Sequence, residues 1–183
     1  MIKNNCFILT GAMGAGKSTV LNILKELDYV CIEEPARVIL KEQRSKGGDG
    51  VPEKNPELFN KLMLSRMIHQ YKSSSDNDRV IIFDRGIADI TAYSYLLNTD
   101  PGESREAAEL YRYNKNVFMF NGLEEIYSND EERKMNFDDA FKFGISVRNI
   151  YNDLGYAVTD VPFASAKDRA LFIVNSIENV LNS

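Results

Sequence analysis

The sequence predicts an α/β fold built on a parallel sheet with helices on both faces, and three observations predict it. Short apolar runs rich in Val, Ile and Phe alternate with helical stretches along the 183 residues. The runs are continuous rather than alternating in polarity, as strands covered on both faces are. The first of them leads directly into Gly11-Ala12-Met13-Gly14-Ala15-Gly16-Lys17-Ser18-Thr19. This fits Gly-x-x-x-x-Gly-Lys-Ser, a loop whose backbone N–H groups wrap a triphosphate while the lysine reaches its outer phosphates and the hydroxyl sits on Mg²⁺. Beyond Ser18, Val20, Leu21, Leu24 and Leu27 take helical spacing. A helix N-terminus with its partial positive charge therefore points at the same anion.

Taken in order, residues 3–10 form the first strand around Cys6-Phe7-Ile8-Leu9, and residues 17–27 the first helix. Residues 29–32 are a second buried strand ending in Glu33 and Glu34, and Pro35 suits the first turn of a helix over 36–45. Three glycines and a proline at 46–52 make a loop expected to be mobile. Phe59, Met63, Met67 and Tyr71 recur every fourth residue and give a helix over 56–71 a core stripe. Residues 79–83 are the most β-prone run and deliver Asp84-Arg85-Gly86 at their end. Helices at 87–97 and 104–113 flank Asp100-Pro101-Gly102, and residues 117–120 are a fourth strand. The polar segment 122–135 carries the cluster Asp130-Glu131-Glu132-Arg133-Lys134, and a helix follows over 137–154. Residues 156–159 are a fifth strand. Ser165 and Asp168 form a capping box for a last helix with Ala170, Ile173, Val174, Ile177 and Leu181 on one face.

Composition narrows the function. Hydrophobic content of 44% and charged content of 27% are globular values within the size of one domain, 1–183. A net charge of -5 and no Lys/Arg run beyond a pair exclude the electrostatic footprint of a nucleic-acid binder or a polybasic membrane segment. No apolar stretch approaches the roughly 20 residues of a membrane span, and the N-terminal run is too short for a signal-peptide core, so a cytoplasmic location is expected. Cys6 and Cys31 read as small buried hydrophobes. His69, the only histidine, lies far from every strand end and has no metal-like neighbours.

In open parallel sheets ligands bind beyond the carboxyl ends of the strands. That rule gathers the Gly-rich loop, Glu33 and Glu34, Asp84 and Arg85, and the segment after Phe120 into one neighbourhood. Phosphoryl transfer needs phosphates held in line and their charge neutralised. Lys17 and backbone amides supply part of this, Ser18 ligands Mg²⁺, and Asp84 is placed to be the second oxygen ligand. An acceptor hydroxyl needs a carboxylate to orient it and take its proton. Glu33, Glu34 and Asp89 are the candidates, and strand alternation sends Glu33 and Glu34 to opposite sides. The segment 122–135 reads as a lid that brings Arg133 toward the transferred phosphate.

Gly-Ala-x-Gly-Ala-Gly-Lys-Ser-Thr, Glu34-Pro35-Ala36-Arg37, Asp84-Arg85-Gly86-x-x-Asp89-x-x-Ala92-Tyr93 and Asp130-x-x-Arg133 together resemble the NadR-like AAA-domain family, P-loop proteins related to nucleoside and nucleotide kinases. The resemblance spans nearly the whole chain. It implies a three-layer P-loop NTPase fold with a five-stranded sheet ordered 2-3-1-4-5, and ATP with Mg²⁺ as donor. By the same resemblance Glu34 and Arg37 face the acceptor, Asp84 and Arg85 lie between acceptor and phosphates, Arg133 belongs to the lid, and Pro162 lies near the base. The expected activity is ATP-dependent phosphoryl transfer to a small-molecule hydroxyl, nucleoside-like compounds included. The competing reading is an ATP- or GTP-binding regulatory module without such an acceptor. A GTPase of the common type is disfavoured, because Asn114-Lys115-Asn116-Val117 lacks the guanine-reading aspartate and Asp84-Arg85-Gly86-Ile87 lacks glycine in fourth position.

Overall fold

The protein is described by a computed structural model over residues 2–74, 79–122 and 137–182. The elements are β1 (Cys6–Gly11), α1 (Lys17–Glu26), β2 (Val30–Ile32), α2 (Ala36–Ser45), α3 (Pro56–Ser73), β3 (Ile81–Asp84), α4 (Ala88–Leu96), α5 (Gly102–Leu110), β4 (Asn116–Phe120), α6 (Phe137–Asp153), β5 (Ala157–Asp160) and α7 (Ala166–Leu181). The five strands form one parallel sheet in the order β2-β3-β1-β4-β5, the order the family resemblance implies. β1 is central, with Leu9 beside Asp84 of β3 and Gly11 beside Phe120 of β4.

Side-chain alternation along β1 divides the core in two. Cys6 and Ile8 point to one face, where Met63, Tyr71, Ile87, Val147 and Tyr151 from α3, α6 and the loop before α4 cover them. Phe7 and Leu9 point to the other, under Val20, Leu24, Ile173 and Ile177 from α1 and α7. All four of these β1 residues are wholly buried, which accounts for an apolar run without alternation. The predicted stripe Phe59, Met63, Met67 and Tyr71 is buried along its length. Ser165 caps α7 as expected, accepting from Asp168 N at 3.2 Å and donating to its carboxylate at 2.6 Å. Among the described residues no helix is long and apolar enough to cross a membrane.

Two segments differ from expectation. The helix predicted at 104–113 runs instead over Gly102–Leu110, because Tyr113 turns inward and packs edge-on against Tyr71 and Phe83. The Gly-rich loop expected to be mobile is tied down. Gln43 accepts from Gly48 N and Gly50 N, Val51 is buried, and Asn55 caps α3 through Leu58 N at 2.9 Å.

Candidate functional site

Four strand ends converge on the loop at 11–18. Gly11 leaves β1 with φ 122°, and a Cβ there would stand 2.1 Å from the carbonyl oxygen of Phe120. No side chain fits, and the loop turns away with Ala12 N donating to that oxygen at 2.9 Å. Gly16 enters α1 in the left-handed region at φ 84°, with no side-chain cap and no acidic residue in the helix's first turn. An uncapped N-terminus free of acidic residues is what an anion needs, since the orphan N–H groups and the helix dipole both remain available. Ala12 and Ala15 are buried, Met13, Gly14 and Gly16 half-buried, and the Ser18 and Thr19 side chains exposed.

Lys17 is buried and donates to Ala12 O at 2.7 Å. Burial first, and the neighbouring Arg85 second, push its pKa down to about 7, against the opposite pull of Asp84, Glu34 and Asp89.

Arg85 follows β3 with φ 69°, a left-handed conformation costing about 1–2 kcal/mol for a residue with a Cβ. The surroundings hold it there. Its N–H donates to Leu9 O at 2.8 Å, and Nη1 donates to Gly11 O at 3.0 Å and to Asp89 Oδ1 at 2.8 Å. Its Nε lies 3.1 Å from Glu34 Oε1, an ion pair whose N–H is not aligned as a hydrogen bond. The guanidinium sits over the rings of Tyr93 and Phe143. Burial alone lowers the pKa of this group, but Tyr93, Glu34, Asp89 and Asp84 hold it well above its ordinary value.

Beneath Arg85, Asp89 is wholly buried with both oxygens engaged. Oδ1 accepts from Thr10 Oγ1 at 2.5 Å as well as from Arg85, and Oδ2 accepts from Gly86 N at 3.0 Å and Tyr151 OH at 2.7 Å. Above it, Glu34 Oε1 accepts from Tyr93 OH at 2.8 Å. Both contacts of Glu34 fall on Oε1, and Oε2 has no hydrogen bond to the protein among the described residues. Glu33 is exposed and pairs with Lys25 instead. Asp84 ends β3 with its Oδ1 buried and without a hydrogen-bond partner. Burial, and after it the charge of Glu34, raise its pKa, against Lys17 and Arg85.

Of the residues singled out by sequence, Lys17, Glu34, Asp84, Arg85 and Asp89 thus meet in one network, with Asp89 beneath it and closed to solvent. Arg37 lies exposed in the first turn of α2, and Pro162 lies exposed just past β5. Arg133 and nearly all of the segment 122–135 lie outside the described residues. Sequence reasoning gave no role to Thr10, Tyr151 or Arg169. The signal for Arg169 was present, since it interrupts the apolar face of α7 one turn before Ile173.

A family model described as an AAA domain matches residues 6–169. Among solved structures, a deoxyadenosine kinase from M. mycoides with dCMP and dCDP bound superposes at a TM-score of 0.69 with 19% identity, over 95% of this chain and 99% of that one. NadR in complex with NR gives 0.67 at 14% identity, over 94% of this chain and 51% of NadR. Thymidylate kinase from Candida albicans gives 0.63 at 17%, over 98% and 93%. At such identities these likenesses establish the fold. No curated protein sequence matches the chain.

Proposed function

This chain belongs to the AAA-domain family, and on that premise we propose that it is an ATP-dependent kinase acting on a hydroxyl of a small molecule, nucleoside-like acceptors foremost. The observation that carries the reading is the open carboxylate of Asp84, a buried oxygen without a donor beside the phosphate loop. A buried acceptor left unpaired costs free energy unless a ligand completes it. The residues present fit Mg²⁺: Asp84 Oδ1 and the exposed Ser18 hydroxyl would hold the ion, which when bound draws charge from the phosphate oxygens. Among the described residues no three His, Cys, Asp or Glu side chains form a metal cage of their own.

The protein groups divide the remaining work. The α1 N-terminus and Lys17 bind the phosphates, Lys17 exchanging its bond to Ala12 O for a phosphate oxygen. Arg85, fixed by Asp89 and Gly11 O, holds Glu34 at the end of β2. Glu34 Oε2 then takes the proton of the acceptor hydroxyl as the acceptor oxygen attacks the γ-phosphorus and the bond from that phosphorus to the β-phosphate oxygen breaks, releasing ADP. The dCMP and dCDP bound to the deoxyadenosine kinase, and the thymidylate for which the other kinase is named, support the acceptor class.

The test is ADP formation from Mg-ATP across a panel of nucleosides, sugars and vitamin-like alcohols, with Lys17→Ala as control. Turnover that depends on one acceptor and vanishes in Lys17→Ala is the expected result. Nucleotide binding that recruits a protein partner, with no acceptor dependence anywhere in the panel, supports the regulatory-module reading instead.

A further inference from the structure

A cation with no anionic partner among the described residues lies behind the phosphate loop. Arg169, in the first turns of α7, is 5% exposed, yet no carboxylate pairs with it among the described residues. Its Nη2 donates to Ala15 O at 3.0 Å, its guanidinium carbon sits 4.5 Å from the centre of the Phe120 ring, and its Nε has no hydrogen-bond partner. Its Nη1 stands 3.0 Å from where a Cβ on Gly16 would be. A buried charge offset by one carbonyl and a ring face is costly, and burial lowers its pKa accordingly.

The carbonyl it binds explains the position. The Ala15–Gly16 peptide is trans, as is every peptide bond described, so its C=O and N–H point in opposite directions. With the oxygen held outward by Arg169, the N–H of Gly16 is directed into the loop. Gly16 would not keep that orientation unaided, since glycine populates positive and negative φ about equally and the peptide can flip. The ring of Phe120 fixes the guanidinium from the far side, and α7 anchors it through the buried Ala170, Ile173 and Ile177.

We infer that Arg169 is a positioning residue for nucleotide binding, locking the Ala15–Gly16 peptide so that the Gly16 N–H faces the phosphates. The inference rests on the kinase reading only in that the loop must bind a nucleoside triphosphate. Its charge also adds to the positive field behind the loop, and bound phosphates supply the negative charge that no carboxylate among the described residues gives it.

The experiment titrates Mg-ATP and Mg-ADP into wild type, Arg169→Met, Arg169→Lys and Lys17→Ala by calorimetry, with thermal melts and the Gly16 amide ¹⁵N–¹H signal followed in each. Loss of a charged donor to a carbonyl predicts an affinity about tenfold weaker in Arg169→Met. Arg169→Lys, which keeps the charge and one donor, recovers part of it. The melting temperature of Arg169→Met stays at or above that of wild type, because a buried charge is removed, and the Gly16 amide broadens or shifts. Should Arg169→Met fail to fold, Arg169→Lys carries the test. Wild-type affinity for Mg-ATP in any folded Arg169 variant, with binding still lost in Lys17→Ala, overturns the inference and leaves the kinase reading standing. A wild-type protein that binds neither nucleotide overturns both.

Discussion

Arg85 Nη1 lies 2.8 Å from Asp89 Oδ1 one helical turn away, and both side chains are almost sealed from water. The pair is the floor of the site, because the same guanidinium reaches Gly11 O on the phosphate loop and Glu34 at the end of the neighbouring strand. Four donors converge on Asp89, from Thr10, Arg85, Gly86 and Tyr151. Asp89→Asn replaces one of its oxygens by a donor, so two N–H or O–H groups face an amide NH₂ whichever way it turns. Breaking a buried pair of this kind costs about 3–5 kcal/mol. The melting temperature should fall by on the order of 10 °C, read by differential scanning calorimetry. A variant melting within a degree or two of wild type would show that Asp89 does not brace Arg85.

Tyr93 separates orientation of the acceptor carboxylate from nucleotide binding. Its hydroxyl donates to Glu34 Oε1, while its ring packs at 4.9 Å against Phe143. Tyr93→Phe keeps the ring and deletes the bond. One hydrogen bond to a charged group is worth about 1.5–3 kcal/mol, so kcat/KM for the acceptor should fall about tenfold or more. The KM for ATP should stay unchanged in the same steady-state assay, and a rise in it equal to the loss on the acceptor side would place Tyr93 in the phosphate site instead.

The contrast between these residues shows what the sequence could reveal. The strands, the phosphate loop and the α7 cap were legible because each is written in a local pattern: an apolar run, a fixed spacing, or a serine three residues before an aspartate. Alternation along β2 put Glu33 and Glu34 on opposite sides, and the structure turns Glu33 out to Lys25 and Glu34 in to Arg85. Asp89 read as a candidate carboxylate for the acceptor, because nothing local reveals that α4 is buried nearly all round between α3, α5 and α6 and that both Asp89 oxygens are engaged inside the protein. Tyr151 meets Asp89 from 62 positions away and Arg169 meets Ala15 from 154 away. Such pairs are made by the packing of helices onto the sheet and leave no spacing to read. The loop at 46–52 looked mobile from its glycines, whereas one residue of the preceding helix, Gln43, holds it, accepting from Gly48 N with its carbonyl and from Gly50 N with its side chain.

Lys17 gives nucleotide binding a proton linkage. With its pKa near 7 in the nucleotide-free protein, the amine is largely neutral at pH 8, and bound phosphates restore its charge. Binding of Mg-ATP should take up close to one proton at pH 8 and about a tenth of one at pH 6, measured by calorimetry in buffers of different ionisation enthalpy. The sign for folding follows from the same values. The unfolded lysine titrates near 10.5 and the folded one near 7, so the unfolded chain binds more protons in between. The Lys17 contribution to stability therefore rises as pH increases through that window. Uptake by wild type that fails to fall between pH 8 and pH 6 would assign the proton to another group.

Asp84 should behave as a residue that the fold tolerates for the sake of a ligand. The guanidinium of Arg85 is taken up by Asp89, Gly11 O and Glu34, so Asp84 is not the partner that its neighbour in sequence could have been. Its Oδ1 is buried without a donor, and burial together with Glu34 raises its pKa. A carboxyl whose folded pKa exceeds its unfolded value binds more protons in the native state, so its contribution to stability is lost as pH rises from the ordinary carboxylate range through the raised value. At neutral pH the charge is therefore a net cost in the empty site. Asp84→Asn keeps the shape, removes the charge and lets an amide donate toward Glu34. The nucleotide-free variant should melt a few degrees above wild type, about 1–2 kcal/mol for a chain of this size. Turnover should be lost, and the extra stabilisation that Mg²⁺ gives ATP-bound wild type should vanish with it. A variant that melts lower than wild type and still responds to Mg²⁺ would make Asp84 a structural turn residue, and the metal's second protein ligand would have to be sought elsewhere.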